Sequence, residues 1–125
     1  MKILYAVLMC CLLISACNTN EPDNSFISPL SASKIDSLII EGKKVTITTS
    51  YTLPTPCWYY LKTESTNDNN IYTSTVFGKY DGEVCIQILS SLQHTEQVFF
   101  TTKGDKQFRF WQNDSTYLDT TITLP

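Results

Sequence analysis

Histidine and glycine are scarce in this chain, and it has neither a basic surplus nor a long hydrophobic run. The single histidine, His94, leaves little room for the usual general-base or metal-ligand chemistry, which needs a nucleophile, a base and an orienting group, or three to four ligands. Four scattered glycines supply no phosphate-cradling loop. Nine Lys plus Arg against twelve Asp plus Glu give a formal charge of -3, so nucleic acid is not an expected partner through the usual release of counterions. The longest apolar stretch, residues 3–14, falls short of the roughly 20 residues that cross a hydrocarbon core. At 125 residues the chain is long enough for one small core and too short for two.

What is there begins with an address. Met1 and Lys2 precede the apolar residues 3–14 and the small-residue site Ser15-Ala16-Cys17, the layout of a secretory signal. Leu13-Ile14-Ser15-Ala16-Cys17 resembles the lipobox of bacterial lipoproteins, in which small residues precede an obligatory cysteine. The resemblance covers only the leader. It implies diacylglyceryl transfer to the Cys17 thiol, cleavage before Cys17 and a mature protein anchored by two or three acyl chains, enough for stable membrane attachment. Losing Lys2 with the leader leaves eight basic against twelve acidic side chains, so the expected anchor is lipid and not electrostatic. Asn18 carries no acidic retention signal, which favours the outer membrane of a bacterial cell envelope.

The expected division is a signal peptide over 1–16, a lipidated cysteine and flexible tether over 17–33, and a folded body over 34–125. The tether is rich in Asn, Ser and Pro, with few periodic apolar positions, as linkers are. In the body, Val45, Ile47, Thr49, Tyr51 and Leu53 alternate with Thr46, Thr48, Ser50 and Thr52, the period of a half-buried strand. Further strands are predicted at 35–40, 58–63, 71–77, 84–89, 97–102, 107–111 and 117–124, rich in Thr, Val, Ile, Tyr and Phe. Turns are predicted at 41–43, 54–56, 67–70, 81–82, 104–105 and 113–114. No helical period stands out. Seven or eight short strands with turns every 8 to 12 residues fit an all-β, immunoglobulin-like antiparallel sandwich, with a small closed barrel of lipocalin type as the second choice. In pattern alone the body is similar to the immunoglobulin-like and fibronectin type III-like class. Trp58 on a central strand, with Phe108 and Phe110, is expected to fill the space between sheets.

Cys10 and Cys11 leave with the leader and Cys17 takes the lipid, so Cys57 and Cys85 remain. In an oxidising compartment such a pair is expected to form a disulfide. No cofactor and no metal site are expected: His94 stands in an apparent loop, Ser90 to Glu96, and the Asn67-Asp68-Asn69-Asn70 run lacks the glycine and distant glutamate of a calcium loop. Acidic pairs such as Asp81 with Glu83, and Glu64 with Asp68, look like solvated turns, so no catalytic residue is assigned. The triplets at 36–38, 114–116 and 119–121 resemble a short bacterial O-glycosylation pattern that three residues match easily by chance.

Aromatic residues make up 12% of the chain, more than a small core needs. Trp111 shares a strand face with Gln107 and Arg109, where it either covers a neighbouring strand or faces outward, and one of Tyr59 and Tyr60 is expected to face outward too. Trp111, Arg109, Tyr59 and Tyr60 form the candidate binding surface, suited to stacking on a sugar or anchoring a protein. The favoured function is a lipid-anchored, non-catalytic binding or accessory module for a glycan or an envelope protein. The alternatives are an assembly component that lends a sheet edge to a surface complex, and a small proteinase inhibitor presenting Pro54-Thr55-Pro56-Cys57.

Overall fold

A computed structural model of the chain describes residues 25–125. The leader, Cys17 and the first part of the expected tether lie outside the described residues. Eight strands follow one another: β1 Phe26–Pro29, β2 Ser31–Glu41, β3 Lys44–Leu53, β4 Tyr59–Asp68, β5 Ile71–Tyr80, β6 Ser90–Phe99, β7 Gly104–Asn113 and β8 Thr116–Leu124. One sheet has the order β2-β3-β6; in the other, β5 pairs with β4, β1 and β7, and β8 closes the far edge. The described body is an all-β sandwich, as the alternation in the sequence predicts.

Period-two patterning accounts for the layering. Val45, Ile47, Thr49, Tyr51 and Leu53 are all buried, so β3 presents its larger side chains inward and its small hydroxyls mainly to the other face. On β7 the inward row is Lys106, Phe108 and Phe110, and on β5 it is Tyr72, Ser74, Val76 and Gly78. Phe108 is the aromatic centre, edge-on to Phe100 and stacked with Phe110. Trp58 differs from expectation. It precedes β4 instead of lying on a central strand, and it is a partly buried neighbour of the core whose ring stacks on Tyr80.

Several expectations change with the tertiary arrangement. Phe26–Pro29 and the start of β2 lie in the segment expected to be tether: β1 fills the edge of β5 from Phe77 to Tyr80, beyond the stretch Ile71 to Ser74 that β7 occupies. Leu30 then crosses between sheets, fully buried, with its N–H donated to Val76 O at 2.7 Å. The crossing needs Gly78, because a Cβ there would stand 2.8 Å from Leu30 Cδ2. The β5–β7 pair is parallel, so the larger sheet is mixed and not antiparallel throughout, because the second strand of the β4–β5 hairpin takes the inner position. Residues 84–89, expected as a strand, form none. They belong to the connection that carries the chain from β5 in one sheet to β6 in the other, while both edges of β5 are already occupied. The expected turn at Gly104-Asp105 is instead the start of β7, and the connection from β6 is 100–103.

The sandwich has two distinguishable ends. The chain enters at Phe26, and loops 54–58 and 81–89 and the β7–β8 turn lie at this entry end, as the registers Phe26↔Tyr80 and Leu53↔Ser90 require. The β2–β3 turn, the β4–β5 turn and loop 100–103 lie at the far end.

Polar groups also join the sheets. Glu96, expected in a loop, is a buried inward residue of β6, and its Oε1 accepts hydrogen bonds from Tyr72 at 2.7 Å and Ser74 at 2.8 Å, both on β5. The buried Tyr51 hydroxyl and Glu96 Oε2 have no hydrogen-bond partner. Burial, reinforced by the Glu96 carboxylate, raises Tyr51 and Tyr72 well above the ordinary tyrosine value. Since the folded state favours the neutral phenol, this contribution is complete below about pH 10 and is lost as pH climbs beyond it. Thermal unfolding followed from pH 8 to 12 should therefore show a fall in stability above about pH 10 that Tyr51→Phe lessens. At neutral pH, Tyr51→Phe should change stability by less than about 1 kcal/mol, whereas Tyr72→Phe, which strips a donor from a buried carboxylate, should cost about 1.5–3 kcal/mol.

Candidate functional site

The four aromatic and basic residues expected to form one surface are dispersed. Arg109 pairs with Thr73 across β5–β7, and Tyr60 pairs with Gly78 across β4–β5, positions separated by roughly 17 Å along β5 at about 3.4 Å per residue. Arg109 is occupied locally, with Nε 3.1 Å from Asp119 Oδ1 and its guanidinium 4.4 Å from the centre of the Tyr117 ring. Tyr60 turns toward the other sheet, stacks on His94 at 4.7 Å and shares a hydrogen bond of 2.9 Å with Thr63. His94 is thus a strand residue facing a tyrosine, not a loop residue, and its Nε2 pairs with Thr63 Oγ1 at 3.0 Å. Tyr59 lies at the entry end, its hydroxyl donating to the Asp81 carboxylate at 3.0 Å.

Trp111 is half-buried. It walls a mainly apolar groove of about 300 Å³ together with Pro29, Pro54, Trp58 and Leu89. The groove lies between the β1–β2 crossing and the end of β7, where Gln112 Nε2 donates to Ala32 O at 2.9 Å. In the adjoining loop, Thr55 is buried between exposed Pro54 and Pro56, and its carbonyl accepts from Trp58 N–H. The loop is tucked in and does not project a continuous segment.

Cys57 and Cys85 form a disulfide, Cα to Cα 6.1 Å, across 28 residues. It ties loop 54–58 to loop 81–89, the two connections that cross between sheets at the entry end. Val84, Ile86, Ile88 and Leu89 stand exposed on the tied loop.

A cavity lined mainly by hydrogen-bonding groups lies at the far end. Asn69 and Asn70 form the β4–β5 turn, both with positive φ (49° and 66°), a conformation that asparagine tolerates and that two-residue hairpins require. They line a cavity of about 360 Å³ with Asn67, Thr101, Thr102, Phe99 and Phe100, and Asn67 Nδ2 donates to Phe99 O at 3.4 Å. Phe99 is 67% exposed because it sits on the outward row of β6 at the strand's end. Beneath the cavity lies Lys106, 1% exposed. Its ammonium donates to Asn70 Oδ1 and, at 2.7 Å, to Thr102 Oγ1, and lies 5.3 Å from the Phe100 ring centre. Asn70 also fixes the start of β7, its carbonyl accepting from Gln107 N–H at 2.9 Å.

Because Asn70 Oδ1 is taken by the ammonium, its amide NH₂ remains for other acceptors. The Lys106 ammonium meets neutral acceptors here and braces Asn70 and Thr102 from behind the lining. Amides that both donate and accept, threonine hydroxyls and an exposed aromatic ring make a set suited to polyhydroxylated or acceptor-rich ligands. The Asn67-to-Asn70 run is legible as a polar turn, but the partner loop 100–103 and buried Lys106 converge on it only through the fold.

Among the described residues, no group of three or more His, Cys, Asp or Glu side chains is placed to hold a metal ion, and no helix is long and apolar enough to cross a membrane. Site and fold together define a disulfide-tied β-sandwich with a polar cavity at one end and an exposed apolar loop at the other. Comparisons with protein-family models, curated proteins and solved structures find no match to the chain.

The disulfide closes a loop whose chain entropy corresponds to about 3.6 kcal/mol. Urea unfolding with and without reductant should show a loss of about 3–4 kcal/mol on reduction, and thiol alkylation should reach Cys57 and Cys85 only after it.

Proposed function

We propose that this chain is a lipid-anchored, non-catalytic binding module of a bacterial cell envelope whose far-end cavity takes a glycan. The observation that supports the reading is the cavity itself. Three asparagines and two threonines line about 360 Å³ of space whose wall also includes Phe99, 67% exposed, with a buried lysine holding Asn70 and Thr102 in place. Sugars present paired hydroxyls to amides and an apolar ring face to an aromatic residue, and a site needs few such groups if they are held rigid. Rigidity here comes from the hairpin turn and from Lys106, whose ammonium orders both sides of the cavity at once.

Attachment through Cys17 rests on the lipobox resemblance of Leu13-Ile14-Ser15-Ala16-Cys17. It suits the architecture, because the chain enters at the end opposite the cavity and a membrane-held body would then present the cavity outward. The outer membrane remains the favoured location in this reading. The immunoglobulin-like description is retained only for the two-layer pattern, since the parallel β5–β7 pair is foreign to the all-antiparallel arrangement.

An array of envelope and extracellular glycans, followed by calorimetry on the best binder, tests the site. Phe99→Ala and Asn69→Gly should each weaken binding about three- to tenfold, the loss of one stacking or hydrogen-bonding contact. Both should leave the melting temperature within a few degrees, as Phe99 is exposed and glycine accepts positive φ. Absence of binding to every glycan, or binding indifferent to both substitutions, would sink the assignment. Intact mass of the detergent-extracted protein tests the anchor: a chain starting at Cys17 with two or three acyl chains is expected, and a mass retaining Met1 or lacking lipid would overturn it.

A further inference from the structure

Loop 81–89 exposes more apolar surface than a connection needs. Val84 is fully exposed, Ile86 is 75% and Leu89 73% exposed, although solvent-facing loops are ordinarily polar. The Cys57–Cys85 disulfide pins the loop beside Val84 and Ile86, so these side chains are held out on a tied support. Phe26 and Ile27 on β1 are exposed as well, by 58% and 57%, and Phe26 pairs with Tyr80 immediately before the loop. The exposed apolar groups therefore come from two separate parts of the chain that meet at the entry end.

Two observations indicate what covers them. Ile88 N–H bonds to Ile86 O at 3.0 Å, a tight three-residue turn that breaks the extended backbone a sheet edge would require for strand addition. The chain also enters here: nine peptide steps from Cys17 to Phe26 span at most about 32 Å, so on the lipid-anchored reading, on which this inference rests, the entry end stays within reach of the headgroups. We propose that Val84, Ile86, Phe26 and Ile27 form a membrane-contacting face that seats in the interfacial layer of the bilayer holding Cys17, with the polar cavity turned away from it. The contact is apolar. Asp81 and Glu83 lie in the loop just before Val84, Asp81 being engaged by Tyr59 and lying 3.9 Å from Lys79, so anionic lipid adds no attraction.

The test uses the full-length protein, processed in its host and reconstituted in phosphatidylcholine vesicles that contain a headgroup spin-labelled lipid. Gln87→Cys carries an environment-sensitive fluorophore in the loop, and Lys43→Cys carries the same fluorophore at the far end. The label at 87 should shift to the blue and be quenched at least twofold more than the label at 43. Adding Val84→Asp and Ile86→Asp should abolish the difference while the disulfide stays intact, and one-fifth anionic lipid should not increase it. A label at 87 as water-exposed as that at 43, or one shielded only when a single protein neighbour crosslinks to the loop, would overturn the proposal, the second outcome in favour of protein docking. Intact mass separates the two readings: an acylated chain with a wet label at 87 removes the membrane contact alone, and an unacylated chain removes the anchor and this inference with it.

Discussion

Each sheet has one face that water would penalise, and burying those two faces against each other constrains everything else in the body. Val45, Ile47, Tyr51 and Leu53 of one sheet and Tyr72, Val76, Phe108 and Phe110 of the other belong to a single cluster of buried residues. Apolar burial has no direction and does not by itself choose which residue meets which. Glu96 adds that choice, because its carboxylate must meet the Tyr72 and Ser74 hydroxyls or stay unpaired in the interior. The connections at both ends follow from the requirement that the chain cross between layers four times, at Leu30 and through 54–58, 81–89 and 100–103.

Those crossings also concentrate what is chemically distinctive. At the far end, crossing 100–103 meets the Asn69-Asn70 turn, and Lys106, drawn inward by the alternation of β7, stabilises both. At the entry end, crossings 54–58 and 81–89 are joined by the disulfide, and the longer one carries its apolar residues outward. A polar cavity on one end and exposed apolar side chains on the other give the molecule a polarity.

Much of the fold is legible in the sequence. The alternation over 45–53 sets the inward face of β3, Phe108 and Phe110 fall in the core as their spacing implies, and Gly42 and Asn69-Asn70 occupy turns because those positions need positive φ. The errors share one cause. Strand propensity reports what a segment could do and not whether an edge is free to receive it, so 84–89 looks like a strand though β5 has no edge left, and 26–33 looks like a tether though an edge awaits β1. His94 and Glu96 look like loop residues because their polarity hides an inward row that is satisfied across the sheets. Trp111, Arg109, Tyr59 and Tyr60 are alike in residue type, and type carries no distance.

The sequence by itself determined the all-β class and pointed to the pairing of Cys57 with Cys85, because the first depends on local period and the second on two cysteines lying within the same body. Only the tertiary structure decided the parallel β5–β7 pair, the passage of Leu30 beside Gly78, the burial of Lys106 against Asn70 and Thr102 and the exposure of Val84 and Ile86. Each of these is a meeting of segments distant in sequence, set by which edges and faces remain open once the first strands have paired, and no single stretch of chain contains that information.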